Sequence, residues 1–272
     1  MKNKLKKILP SVEKPTRYIG TEFNSVHKDL NGINIRFAFC FPDVYEVGMS
    51  HLGMKILYHL LNSVDDIYCE RVFAPWVDME EKMRENDIPL FSLETMSPVS
   101  DFDFIGFTLQ YEMSYSNIVN MLKLANVAPK SCDRKEGDPF VCFGGPCAYS
   151  SEAIADFADF YMLGEGEEVM IEVMDAYREW KKRGGTRFEF LKEISQIGGI
   201  YVPSFYEISY NDDGTVKVID TKYGFVPKTV KKRIIADMDK VFYPDRIIVP
   251  FGEIVHDRIM LEMFRGCIRG CR

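Results

Sequence analysis

Apolar positions in this chain fall into short runs of strand length that alternate with stretches of helical period. Ile33 to Phe41 is a near-continuous apolar run, and after it Gly53 to Asn62 places Met54, Leu57, Tyr58 and Leu61 at helical spacing. The pairing repeats with Ile67 to Phe73 as a strand and Trp76 to Asn86 as a helix, then Phe104 to Leu109 as a buried strand and Tyr115 to Ala125 as a helix. Phe140 to Phe143 and Phe160 to Leu163 read as two more strands, and Glu167 to Lys182 as a long helix. Parallel neighbours need a crossover to bring the chain back, so this alternation predicts an α/β fold: a doubly wound, Rossmann-like parallel sheet of about five strands over residues 33–185.

The flanks read differently. Residues 1–32 show no clear period, and Pro10 and Pro15 suggest an arm or short helix with an extended lead-in. Lys181-Lys-Arg-Gly-Gly185 is a helix stop with a cationic last turn suited to the helix dipole. Beyond it, residues 186–250 are expected to form a smaller α+β connecting module. It holds a helix over Arg187 to Ile197 and a hairpin in which Tyr206 to Tyr210 and Val216 to Asp220 flank the turn Asn211-Asp-Asp-Gly-Thr. Residues 251–272 contain a partly alternating segment with Ile254, Ile259, Leu261 and Phe264, which reads as a strand entering a loop.

Composition leaves this picture standing. With 46% hydrophobic and 28% charged residues the chain is that of an ordinary folded protein. Its net charge of -7 argues against a broad nucleic-acid surface on this part. No apolar run approaches the length of a membrane span, and the start lacks a secretory core. Seven scattered cysteines are unlike a secreted disulfide framework, so a cytoplasmic, reducing location is expected.

Candidate chemistry lies in two places. In an open parallel sheet, ligands sit beyond the carboxyl ends of the strands. The loops there are Pro42 to Gly53, Thr108 to Tyr115, Phe143 to Tyr149 and Leu163 to Glu168. The second place is Cys267-Ile-Arg-Gly-Cys271, two thiols on one short loop. Such a pair can share an iron-sulfur cluster, can hold zinc, though this spacing suits zinc less well, or can be two ordinary reduced thiols. No Ser/His/Asp set, phosphate-binding loop or HExxH motif is present.

Glu262-Met-Phe-Arg-Gly-Cys267-x-x-x-Cys271 resembles the first barrel strand and cluster loop of radical S-adenosylmethionine (SAM) enzymes, whose full motif is CxxxCxxC. The resemblance implies that Cys267 and Cys271 ligate a 4Fe-4S cluster whose third thiolate lies past Arg272, and that the chain is an N-terminal fragment cut inside the motif, lacking most of the barrel. It also implies S-adenosylmethionine as cofactor, an electron donor for the intact enzyme, and radical chemistry begun by reductive cleavage of S-adenosylmethionine. The fragment alone is expected to be inactive.

The upstream region resembles the cobalamin-binding domain that precedes the barrel in many such proteins, particularly an uncharacterised bacterial subgroup with a PDVYEVGMSHLG-like loop. Gly144-Gly145 matches the double glycine of that domain, Gly164-Glu165-Gly166-Glu167 its GEGE loop, and Thr108 stands at its usual serine, with Gln110 in place of leucine. Thr108, Gly144, Gly145, Gly164, Glu165 and Gly166 are therefore the implied pocket residues. The cobalt-ligating Asp-x-His-x-x-Gly pattern fails around His51, where positions 49 and 54 are both Met. Cobalamin, if present, is expected without a histidine ligand, with methyl transfer as an outcome, and His51 is expected in the first turn of a helix. The alternatives are a non-enzymatic α/β domain that binds a small molecule or partner, and a zinc or redox protein built on the CxxxC pair.

Overall fold

The computed structural model describes residues 1–266, Ile268 and Arg269. Its helices are α1 (Lys2–Ile8), α2 (Tyr45–Gly48), α3 (Leu52–Asn62), α4 (Val77–Glu85), α5 (Tyr115–Leu124), α6 (Gly166–Arg183) and α7 (Arg187–Ile194). The strands are β1 (Ile35–Phe41), β2 (Ile67–Phe73), β3 (Phe104–Thr108), β4 (Phe140–Gly144), β5 (Phe160–Met162), β6 (Ile200–Tyr201), β7 (Tyr206–Tyr210) and β8 (Val216–Thr221). The first six form one sheet in the order β2-β1-β3-β4-β5-β6, and β7 and β8 form a separate hairpin.

Strands β1 to β5 run parallel and β6 joins antiparallel to β5. The doubly wound α/β expectation therefore holds, with one strand more than the pattern predicts. Ile200–Tyr201 is two residues long, too short to carry a period of its own.

The alternation within β1 explains the layering. Phe37, Phe39 and Phe41 enter one apolar cluster with Met54, Tyr58 and Leu61 of α3 and Val169, Val173 and Met174 of α6. Ala38 and Cys40 enter the opposite cluster, with Met79 and Met83 of α4 and Ile118, Met121 and Leu122 of α5. Successive strand side chains point to opposite faces, so a strand with apolar residues on both faces must be covered on both. Burying each large apolar side chain contributes about 1.5–3 kcal/mol.

The N-terminal stretch packs onto this scaffold. Leu5 and Ile8 of α1, with Val12 and Tyr18, complete the second cluster. Farther along the stretch, Glu22 meets Arg71 of β2, whose Nη2 donates to it at 2.7 Å while Nε donates to Glu94 at 2.6 Å. Arg71 and both carboxylates are buried, so each charge is matched where it would otherwise be costly.

The strand expected between Glu253 and Gly266 does not form among the described residues. A strand needs a neighbour to satisfy its backbone groups, and this segment has no paired strand there. Ile259, Leu261, Met263 and Phe264 are consequently exposed. No helix among the described residues is long and apolar enough to cross a membrane.

Candidate functional site

The order β2-β1-β3 reverses direction between β1 and β3, and such a switch point opens a crevice beyond the carboxyl ends of the strands. Here the crevice is a cavity of about 880 Å³. Its floor and walls are apolar, with Phe37 and Phe39 from β1, Leu57 from α3, Phe143 from β4, Met162 from β5 and Met170 from α6. Thr108, Gly144, Gly145, Gly164, Glu165 and Gly166 all line it. Three separate loops therefore bring the sequence-nominated residues to one place.

The glycines have different reasons to be there. A Cβ on Gly144 would find nothing closer than Met162 O at 3.7 Å, so a side chain at this position would project into the cavity. Gly145 has φ +96, and a Cβ on it would lie 2.8 Å from Leu109 O, so the loop is pressed against the end of β3. Gly164, at φ +104, is crossed by the backbone of Arg233, whose carbonyl would be 2.1 Å from a Cβ. This glycine is required by that crossing segment, which donates Arg233 N–H to Leu163 O at 2.8 Å. Gly166 lets the start of α6 approach the Leu57 side chain, 3.3 Å from a notional Cβ.

The acidic loop is saturated with partners. Glu165 accepts the Ile235 N–H and Glu168 pairs with Arg233 at 3.1 Å. Glu167, buried in the first turn of α6, pairs with Arg265 at 2.5 Å. Carboxylates at this end also complement the helix dipole.

His51 does not lie in the first turn of α3, as expected, but caps it from the preceding position: its Nδ1 accepts the Met54 N–H at 3.1 Å. That bond uses the Nδ1 lone pair, so in neutral imidazole the proton sits on Nε2. Burial lowers the pKa of His51, and a hydrogen bond with the Gln110 side chain partly offsets this. Gln110 in turn donates from Nε2 to Thr108 Oγ1 at 2.5 Å.

Among the described residues no three of His, Cys, Asp and Glu are grouped to hold a metal ion. Cys267 and Cys271 lie outside the described residues. Cys142, on β4 against the cavity, is buried, and burial raises its thiol pKa well above the usual range, which keeps it a neutral, inert lining group. Cys147 is a half-buried loop thiol.

Residues 53–203, more than half of the chain, match the family described as radical SAM proteins, N-terminal. The chain belongs to that family. Its match runs from the start of α3 past β6 and so includes most of the cavity wall. An uncharacterized protein of Methanocaldococcus jannaschii is 25% identical over 240 residues, covering 86% of this chain and 39% of that protein. The chain thus spans well under half the length of that relative. No solved structure matches. Membership implies, for radical SAM proteins in general, a 4Fe-4S cluster and S-adenosylmethionine.

Several residues of this radical SAM N-terminal cavity were not singled out from sequence. Phe37 and Phe39 share one face of β1, a signal hidden because the strand carries apolar residues on both faces. Met170 follows Gly166 by one helical turn, which placed it in reach. Glu262 and Arg265 belong to the motif that resembles a cluster loop, but their place at the cavity rim depends on how a distant segment returns.

Proposed function

We propose that this chain is the N-terminal cofactor-binding part of a radical SAM enzyme, and that its sheet-end cavity takes cobalamin with no protein ligand to the cobalt. The observation that carries the reading is convergence: Thr108, Gly144, Gly145, Gly164, Glu165 and Gly166 line one cavity, and Arg265 and Gly266, immediately ahead of Cys267, line its rim. Cys267 and Cys271 would then be two thiolate ligands of the cluster.

The residues present fit such a group. An apolar slot with a vacant Cβ position at Gly144 accepts a flat, nonpolar body, and the phenylalanines and methionines exclude water from it. Thr108 offers a polar anchor at depth. His51 would supply no ligand to the cobalt, because its Nδ1 is committed to Met54 and its Nε2 carries the proton in the neutral ring. When bound, the cluster with S-adenosylmethionine supplies a carbon radical, and cobalamin supplies a methyl carrier.

Titration of the full chain with hydroxocobalamin tests the reading. Saturable binding at micromolar concentrations is expected, and in the reduced cobalt(II) state the electron paramagnetic resonance spectrum should be identical for natural-abundance and nitrogen-15-labelled protein. Absence of binding would remove the cobalamin reading, and a labelling-dependent splitting would show a protein nitrogen on the metal.

A further inference from the structure

From Thr221 to Ala236 the chain carries Lys222, Lys228, Lys231, Lys232 and Arg233 and no acidic residue, in a protein whose net charge is -7. Arg233 is neutralised by Glu168 and Glu172. The lysines are exposed and form no ion pair among the described residues.

Aromatic side chains are interleaved with them. Tyr223 stacks on Phe225 with 5.3 Å between ring centroids, and Phe188 of α7 meets Tyr223 edge-on at 5.4 Å. Tyr223 and Phe188 are both exposed. Lys192 of α7 joins the group, its Nζ 5.0 Å from the Phe225 centroid. The acidic neighbours of Lys192 on that helix are committed elsewhere, Glu189 to the N-cap Thr186 and Glu193 to Arg183. Tyr206 donates its O–H to Pro227 O at 2.7 Å, which ties the middle of the segment to the start of β7. At the far end Lys232 lies over the ring of Tyr149, which is exposed at the mouth of the cavity. Unpaired ammonium groups therefore run between two exposed aromatic sites.

Like charges without counterions repel, and a polyanion laid along them relieves that repulsion while releasing its own condensed counterions. Exposed rings held in place by their neighbours offer unpaired bases a stacking platform at little cost in side-chain order. A duplex hides its base faces, an acidic peptide has none, and the segment lacks the amphipathic helix that binds a membrane surface.

We infer that residues 222–232, with Phe188 and Lys192 of α7, form a binding strip for single-stranded nucleic acid, in which the lysines hold phosphates and Tyr223, Phe188 and Tyr149 stack bases. No lysine of the strip lines the cofactor cavity, so the inference does not depend on what that cavity holds.

Fluorescence anisotropy of the full chain with a labelled oligothymidylate of about twelve nucleotides tests it. A dissociation constant of about 10 μM or tighter is expected at low salt. Each lysine–phosphate contact contributes about -0.7 to the slope of log K against log salt for a single strand, so Lys192, Lys222, Lys228, Lys231 and Lys232 together give at most about -3.5. Replacing Lys231 and Lys232 together by alanine should shrink that slope by about 1.4. Tyr223→Ala should weaken binding about fivefold or more at an unchanged slope, because a stacked base releases no counterion. Phe188→Ala repeats the stacking test at a second ring. Circular dichroism confirms folding, and the exposed lysine pair keeps the test decisive if an aromatic variant does not fold.

Absence of binding at low salt, a slope unmoved by the lysine pair, or full affinity in every folded aromatic variant would overturn the inference. So would a duplex of the same length, polyglutamate, or vesicles with about one-third phosphatidylserine binding as tightly as the single strand, since the strip would then belong to double-stranded nucleic acid, an acidic protein or a membrane.

Discussion

Arg265 donates from Nη2 to Glu167 Oε1 at 2.5 Å and, from Nε and Nη2, to the two oxygens of Glu262 at 2.9 and 2.7 Å. One guanidinium thus fastens the segment leading to Cys267 onto the first turn of α6, at the rim of the cavity. It also balances acidic groups that would otherwise repel, with Glu165 3.9 Å away. Arg265→Ala should release the segment while leaving the sheet intact. If the pairs are worth roughly 1 kcal/mol, the upper range for accessible ion pairs, amide exchange over residues 254–266 should accelerate about fivefold. Unchanged exchange would mean that apolar contacts hold the segment instead.

Gly164 is expected to be intolerant for a reason unrelated to any ligand. Its φ of +104 and the Arg233 carbonyl 2.1 Å from a notional Cβ make Gly164→Ala both strained and obstructed. A loss of about 2–4 kcal/mol is expected, from positive-φ strain plus displacement of the crossing segment. Denaturant midpoints measure it. Gly144→Ala, which meets no close atom, serves as the control and should be near neutral.

Those two glycines mark how far sequence can be read here. The strands were legible because each is a short apolar run, and β2 forms over the same residues, Ile67–Phe73, that its pattern predicts. The pocket loops were legible from where they follow the strands and from their likeness to a known domain. The sequence could not tell Gly144, which leaves space in the cavity, from Gly164, which makes room for Arg233, because that depends on a contact across 69 positions of chain. It likewise placed His51 inside α3, because a histidine is not an obvious cap, and only the contact with Met54 N–H reveals the role. The expected strand after Glu253 failed because alternation records which side chains are apolar and not whether a partner strand is at hand.

Mild acid should weaken the fold through His59. Its Nε2 is buried with no hydrogen-bond partner among the described residues, and burial, reinforced by the charge of Arg71, lowers its pKa to about 4 from 6.5. The unfolded chain binds a proton at this site below about 6.5 that the folded chain refuses until about 4, so stability falls as pH drops through that window. Burial of His51 acts with the same sign. Asp66, held at about 2 by Arg178, adds a separate loss only below its ordinary value of 3.8. Urea midpoints at pH values on either side of the upper window should differ less in His59→Gln than in wild type, and an identical pH profile would contradict the assignment.

The central claim is that the cavity at the carboxyl ends of β1, β3, β4 and β5 holds a cofactor, and Gly144 offers the most direct test. Gly144→Leu places a side chain where the structure has open space, so the fold should survive while the cavity is filled. Equilibrium dialysis of hydroxocobalamin against wild type and Gly144→Leu, with circular dichroism to confirm folding, should show one equivalent retained by wild type and at least tenfold weaker retention by the variant, as steric exclusion worth about 1.4 kcal/mol or more requires. Equal retention by a folded Gly144→Leu protein would contradict the claim.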